Sequence, residues 1–212
     1  MDVMPTDQPD ILDAHRRILG WHEGTLNVDG EFRPCRFIVD PDSGNPAAPV
    51  HASTFDAASL VLHLPEDEPE AVHLTLNARE VDPRNHVAAD RWSAYFGSHP
   101  DNRFAILELE SFKRLGSVVD GELARPVHPF RHAEPRLCKA VNVKREALAD
   151  ACGRLRGTRP HFSPTSPMCV GIDPFGLDVR IAFGVTRLDF PSVAASEAEA
   201  RALIAGVLGA DL

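Results

Sequence analysis

Residues 71–81, AVHLTLNAREV, alternate without a break: Val72, Leu74, Leu76 and Ala78 on one side, His73, Thr75, Asn77 and Arg79 on the other. Successive side chains of a strand point to opposite faces, so this pattern demands a sheet with one dry face and one wet face. Parallel sheets are covered on both sides and read as continuous apolar runs. The alternation therefore predicts an antiparallel sheet.

The flanking segments extend it. Leu60, Leu62 and Leu64 alternate in SLVLHL, and PEDEPE makes an acidic turn before the next strand. Asp29-Gly30 is a hairpin signal between two strand-like runs in HEGTLNVDGEFRPCRFIV. In RFAILELESFKRLGSVVDGELAR, Ala105, Leu107 and Leu109 alternate with Ile106, Glu108 and Glu110, and VVDGEL offers a further hairpin. Two helices interrupt the strands. PDILDAHRRILG has Asp10 as cap, Ile11, Leu12, His15, Ile18 and Leu19 on one face, and Gly20 as stop. HVAADRWSAYFG spaces Trp92, Tyr95 and Phe96 for one helical face ending at Gly97.

The Pro-rich RPVHPFRHAEP bridge divides the chain, and two domains are expected, 1–130 and 131–212. In the second, EPRLCKAVNVKREALADACGRLRG reads as one long helix with Leu137, Ala140, Val141, Leu148, Ala151 and Leu155 on a face and Gly157 as stop. CVGIDPFGLDVRIAF reads as a hairpin. Pro174 presets its turn, Asp173 bonds the turn backbone, and Gly176 takes a left-handed position. Beyond it Leu177, Val179, Ile181 and Phe183 face the core while Asp178, Arg180 and Ala182 face water. Ser196 and Glu199 form a capping box for a last helix with Leu203, Ile204, Val207 and Leu208 as its stripe. The expected class is α+β: an antiparallel split β-barrel with a C-terminal α/β module.

The formal charge of −9 disfavours a general binder of nucleic acid or anionic membrane, which needs a basic face, and leaves room for a local positive pocket. No apolar run reaches the roughly 18–20 residues of a membrane span, and the N-terminus carries no signal-peptide pattern. A cytoplasmic protein with reduced thiols is expected. None of the four cysteines forms a C-x-x-C pair. Cys138 and Cys152 fall on one face of the long helix and read as inert, buried thiols.

The β-rich part resembles the split barrel of the pyridoxamine 5'-phosphate oxidase-like, FMN-binding superfamily. DGEFRPCRFIV looks like that family's second strand, although more residues separate Gly30 from Pro34 than in its Gly-x-Pro turn. NRFAILELESFKRLGSVVDGELAR looks like the barrel-closing strand pair of haem-utilisation proteins of the HugZ type, and GIDPFGLDVR looks like their C-terminal hairpin. The helix before it keeps Asn142 but has Ala140 and Arg145 where those proteins have histidines. The resemblance implies bound FMN at the interface of a homodimer and an oxidoreductase acting on a small molecule. It also implies an alternative: a non-catalytic protein on the same scaffold, binding a haem-related ligand or a protein partner.

A flavin phosphate needs concentrated positive charge and hydroxyl donors. Arg36 matches the family position. Arg33 lies three residues away and points to the opposite face of a regular strand. Ser53 and Thr54 supply hydroxyls, but no lysine follows them where the family has one. These four are the candidate cofactor residues; the plainer alternatives are a surface ion pair for the arginines and a turn cap for the hydroxyls. Trp92 and Tyr95 can stack on a flavin but read first as core. Of the ten histidines, His63 and His73 sit on successive strands and can face each other. His128 and His132 are four apart with Pro129 between them, which argues against a helical ligand pair. Scattered surface and core histidines are the plain reading of the set.

Overall fold

A computed structural model describes residues 9–65, 72–97, 103–156 and 167–212. The fold is α+β, with a strongly curled antiparallel half-barrel, a second, small sheet and, among the described residues, six helices. The acidic turn and Gly157 lie outside the described residues.

The chain divides into two compact units. The first runs to Ser93 and resumes through Val127; the second takes Ala94–Gly97 and His128–Leu212. In the first, helix α1 (Pro9–Gly20) precedes strands β1 (Glu23–Val28), β2 (Glu31–Arg36), β3 (Ile38–Val39) and β4 (Pro46–Val50). A 3-10 turn (Ala52–Asp56), β5 (Leu60–Leu64), β6 (Val72–Val81), helix α2 (Val87–Phe96), β7 (Arg103–Arg114), β8 (Ser117–Asp120) and short helix α3 (Gly121–Ala124) follow. The sheet order is β2-β1-β5-β6-β7-β4-β3, with β8 on β7, and β2 also touches β4 as the sheet curls. The inward residues are those that the alternation selects. Leu26, Leu62, Leu74, Leu76, Ala105 and Leu107 pack with Ile11, Ala14 and Ile18 of α1 in one core.

One irregularity matters. Leu76 pairs with Leu109 and Thr75 with Ser111, so Glu110 is an extra residue in β7. Such a bulge sharpens the local twist. It also lets Phe112 return to the core after Leu109. The backbone N–H of Leu109 there donates to the buried Asn45 Oδ1 at 2.9 Å.

Two details differ from expectation in this unit. Asp10 lies inside the first turn of α1 and receives a bond from Ser117 Oγ at 3.3 Å. The hairpin after β7 turns at Leu115-Gly116, both left-handed with φ of 53° and 79°, and not at Asp120-Gly121. Asp120 instead caps α3 by accepting from the Glu122 N–H at 2.8 Å.

The second unit contains helices α4 (Glu134–Val143) and α5 (Arg145–Arg156), strands β9 (Met168–Asp173), β10 (Gly176–Ile181) and β11 (Gly184–Asp189), and helix α6 (Glu197–Leu208). The expected long helix is thus two. Lys144 takes ψ of 48°, outside the helical region, so the chain restarts at Arg145. Ser196 caps α6 and Gly209 ends it in the left-handed region. The sheet order is β11-β10-β9, which makes β9 an edge strand.

Side chains satisfy that edge. Asn142 donates to the Cys169 carbonyl at 2.9 Å and accepts from its N–H at 2.8 Å. Glu134 accepts from the Ile172 N–H at 3.0 Å, and the His128 Nε2–H donates to the Ile172 carbonyl at 2.8 Å. The β9–β10 turn is expected correctly in part. Asp173 Oδ1 accepts from Phe175 and Gly176 N–H at 2.8 and 3.2 Å. Gly176, however, is not left-handed. It is required because a Cβ there would meet the Leu188 carbonyl oxygen at 2.6 Å. Phe183 sits in the β10–β11 turn and is exposed, not buried.

Asp178 is the larger correction. It is buried, beside a register shift between Asp178 and Val179. Arg187 on β11 grips Asp173 through two nitrogens, at 2.7 and 2.9 Å, and reaches Asp178 at 3.0 Å. Tyr95 Oη donates to the other oxygen of Asp178 at 2.9 Å. Burial opposes the charge on Arg187, but Asp173 and Asp178 outweigh it and hold its pKa well above the ordinary value.

Removing a buried charge partner leaves the others unpaired. Arg187→Met is expected to destabilise the chain by about 3–5 kcal/mol, read from denaturant unfolding; a loss indistinguishable from zero would show the cluster to be incidental. His15 gives a second expectation. It is buried, its Nε2–H donates to the Leu123 carbonyl at 2.8 Å, and desolvation holds its pKa below 6.5 despite that bond. The folded state then binds fewer protons than the unfolded one, so its stability is present above pH 6.5 and is lost as pH falls below that value. Tm should decline from about pH 7.5 to about pH 5, and His15→Gln should flatten that decline.

Candidate functional site

On the outer face of the first unit's sheet the described residues bring two half-buried imidazoles together. Cross-strand partners share a face, and the register runs Thr25, His63, His73, Lys113 across β1, β5, β6 and β7. This row lies opposite the inward leucines, Leu62 and Leu74, because it is one residue out of step with them. The two imidazoles meet edge to face, with ring centroids 4.5 Å apart and planes at 67°. Phe32 on β2 lies on the same face, 63% exposed, with its ring 5.8 Å from that of His63.

Local electrostatics keep His63 neutral. Desolvation lowers its pKa first, and the neighbouring His73 lowers it further. Its Nε2 is covered and has no hydrogen-bond partner among the described residues. A neutral imidazole carries one free nitrogen lone pair, so His63 can ligate a metal or accept a hydrogen bond near neutral pH. Two ligands fall short of a closed structural metal site, which takes four. Among the described residues, no group of three or more His, Cys, Asp or Glu gathers for a metal ion.

The four candidate cofactor residues are held by local partners. Arg36 Nε bonds Glu23 Oε1 at 2.9 Å on the outer face, two residues beyond Pro34 and four beyond Phe32. Arg33 bonds Glu31 Oε2 at 2.5 Å and lies on the face of Cys35, so the two arginines point to opposite sides of β2. Ser53 Oγ lies 2.9 Å from His51 Nδ1, and the Ser53 N–H also donates to that nitrogen at 3.2 Å. Thr54 is buried, with its N–H on the His51 carbonyl at 3.0 Å. His51 is itself the cap of this turn.

Trp92 and Tyr95 are both buried. Trp92 Nε1 donates to the Arg36 carbonyl at 3.1 Å, and Tyr95 belongs to the Arg187 cluster. Asn142, which the resemblance singles out, clamps β9, while Ala140 is half-buried and Arg145 is exposed at the start of α5. His128 lies outside any helix and is buried against Ile172, and His132 is exposed.

No family model matches the chain, and no curated protein does. Among solved structures it is similar to a protein of unknown function from Agrobacterium tumefaciens, with 18% identity, a TM-score of 0.69, and coverage of 98% of this chain and 100% of that one. A haem-binding protein from Mycobacterium smegmatis matches at 19% identity and a TM-score of 0.41, covering 95% and 97% of the two chains. The Agrobacterium likeness is one of fold: the chain has a split-barrel type of sheet carried with a C-terminal α/β unit.

Proposed function

We propose that this chain is a non-catalytic ligand-binding protein on a split-barrel scaffold, and that its ligand is a flat, metal-bearing macrocycle of the haem type held against the outer face at His63. The His63–His73 pair with Phe32 beside it carries the reading. Iron takes a neutral imidazole as axial ligand. A haem-type macrocycle would supply four of the iron's ligands itself, which suits a face where, among the described residues, no third ligating group joins the two imidazoles. Phe32 offers an aromatic contact to the ring. Arg36 and Lys113 share the face and complement anionic substituents. The strongest ionisable cluster of the second unit, by contrast, is buried and holds strands together.

Flavin is the second reading, favoured by the position of Arg36 on the face of Phe32. In its fuller form the protein is a cytoplasmic FMN-dependent oxidoreductase, a homodimer whose phosphate meets Ser53, Thr54 and one of Arg36 and Arg33, which point to opposite sides of β2. With Arg36 in that role, it must exchange Glu23 for phosphate.

Parallel titrations with haemin and FMN separate the two. The haem reading expects a saturable Soret shift that His63→Ala weakens by about tenfold or more. The shift should grow as pH rises through a value below 6.5, because only neutral His63 ligates. A shift unchanged in both His63→Ala and His73→Ala sinks this reading. Saturable quenching of FMN that disappears in Arg36→Ala transfers the assignment to flavin.

A further inference from the structure

The second unit places two thiols in contact across elements that are far apart in sequence. Cys138 on α4 and Cys169 on β9 have their Sγ atoms 3.8 Å apart. Their separation is fixed by more than the thiols. Asn142 lies one helical turn beyond Cys138, on the same side of α4. Its side-chain amide takes both backbone groups of Cys169, at 2.8 and 2.9 Å. The two hydrogen bonds pin the backbone of Cys169 to the helix that carries Cys138. The sulfurs are thus already in van der Waals contact on backbones held together, and the S–S bond, at about 2.05 Å, would draw them closer.

The two thiols differ in access. Cys169 is buried, and its S–H donates to the Cys138 sulfur. Cys138 is half-buried and reaches the surface of α4. The Cys169 thiol is held well above its ordinary pKa, first by its bond to Cys138 and then by burial. An oxidant in solution therefore meets Cys138 first, and Cys169 waits behind it. Cys35 provides an internal contrast: it is buried in the other unit, and burial pushes its pKa up to about 12.

We propose that Cys138 and Cys169 form a redox-modification site, a dithiol that a hydroperoxide closes to a disulfide. In the first step the Cys138 thiolate attacks the peroxide. An S–O bond forms, the O–O bond breaks, and the leaving oxygen departs as water (or alcohol) after protonation. Cys138 is then a sulfenic acid. In the second step the sulfur of Cys169 attacks that of Cys138. The S–S bond forms, the S–O bond breaks, and water leaves with the Cys169 proton. The two thiols lose two electrons and two protons, and the peroxide is reduced by the same two electrons. A small dithiol reverses the change by exchange. The product staples α4 to the edge strand β9.

The test treats the full-length native protein with one equivalent of hydrogen peroxide, blocks free thiols, and maps the peptides without reduction. The expected result is a peptide pair linked through Cys138 and Cys169, lost on adding dithiothreitol, with Cys35 still alkylated. Cys169→Ser should leave Cys138 as a sulfenic acid trapped by a dimedone probe. Cys138→Ser should leave Cys169 reduced. Free Cys138 and Cys169 in the treated wild-type protein overturn the proposal, as does a linkage of Cys138 to any other cysteine. The wild-type map decides the matter even where a variant fails to fold. The oxidised wild-type protein should also melt higher than the reduced form, because the bridge closes a long loop.

Discussion

An edge strand in a three-stranded sheet has backbone groups that no neighbouring strand can satisfy, and the C-terminal unit is arranged around that need. β9 is the strand in question. At Cys169 its exposed amide and carbonyl go to Asn142, and at Ile172 they go to Glu134 and His128. Buried backbone groups left unmade cost about 1–3 kcal/mol each, so these side chains largely decide whether so small a sheet persists. They also fix where α4 lies along β9. The same strand ends in Asp173, which holds its turn and anchors Arg187 on β11. Edge protection, turn and buried ion pair thus form one connected device.

The first unit solves a different problem. Its sheet has a dry side filled by leucines and α1, and an opposite side that is buried at Ala47, Phe104 and Ile106 but open to water across β1, β5 and β6. Because the dry side consumes every second residue, what can be exposed is fixed by register. His63 and His73 meet because Leu62 pairs with Leu74. The imidazole pair is in this sense a consequence of core packing, and the lowered pKa of His63 follows from the crowding that the same register imposes. The row of polar residues across the strands is where a sheet of this kind has freedom to acquire function without loss of stability.

The elements set by short-range pattern were legible. The alternation in β5 and β6 gave the inward residues, Asp29-Gly30 gave its hairpin, and Ser196 with Glu199 gave the cap of α6. The facing of His63 and His73 was legible too, because adjacent alternating strands leave few choices of pairing. The remainder depended on events that break periodicity. Lys144 leaves helical geometry inside a run whose apolar spacing continues, so Cys138 and Cys152 seemed to share a face and belong to separate helices. The shift at Asp178 turned a residue assigned to water into the core, where Arg187 compensates it. The contact of Cys138 with Cys169 bridges 31 positions and leaves no local trace. For Arg33, Arg36, Ser53 and Thr54 the residue types suited a phosphate, but type alone carries no information about the neighbours that they also meet: glutamates for the arginines, and His51 for the Ser53 hydroxyl and the Thr54 backbone N–H.

The extra residue in β7 has a further implication for how this sheet can change. Pairings on both sides of Glu110 keep their faces: Leu109 points in, Ser111 out and Phe112 in. A chain lacking Glu110 would therefore still find every partner on β6, now in an uninterrupted ladder. What it would lose is curvature. Length and shape are separately adjustable at this one position, and the bend of the half-barrel can be relaxed there without disturbing which residues see water.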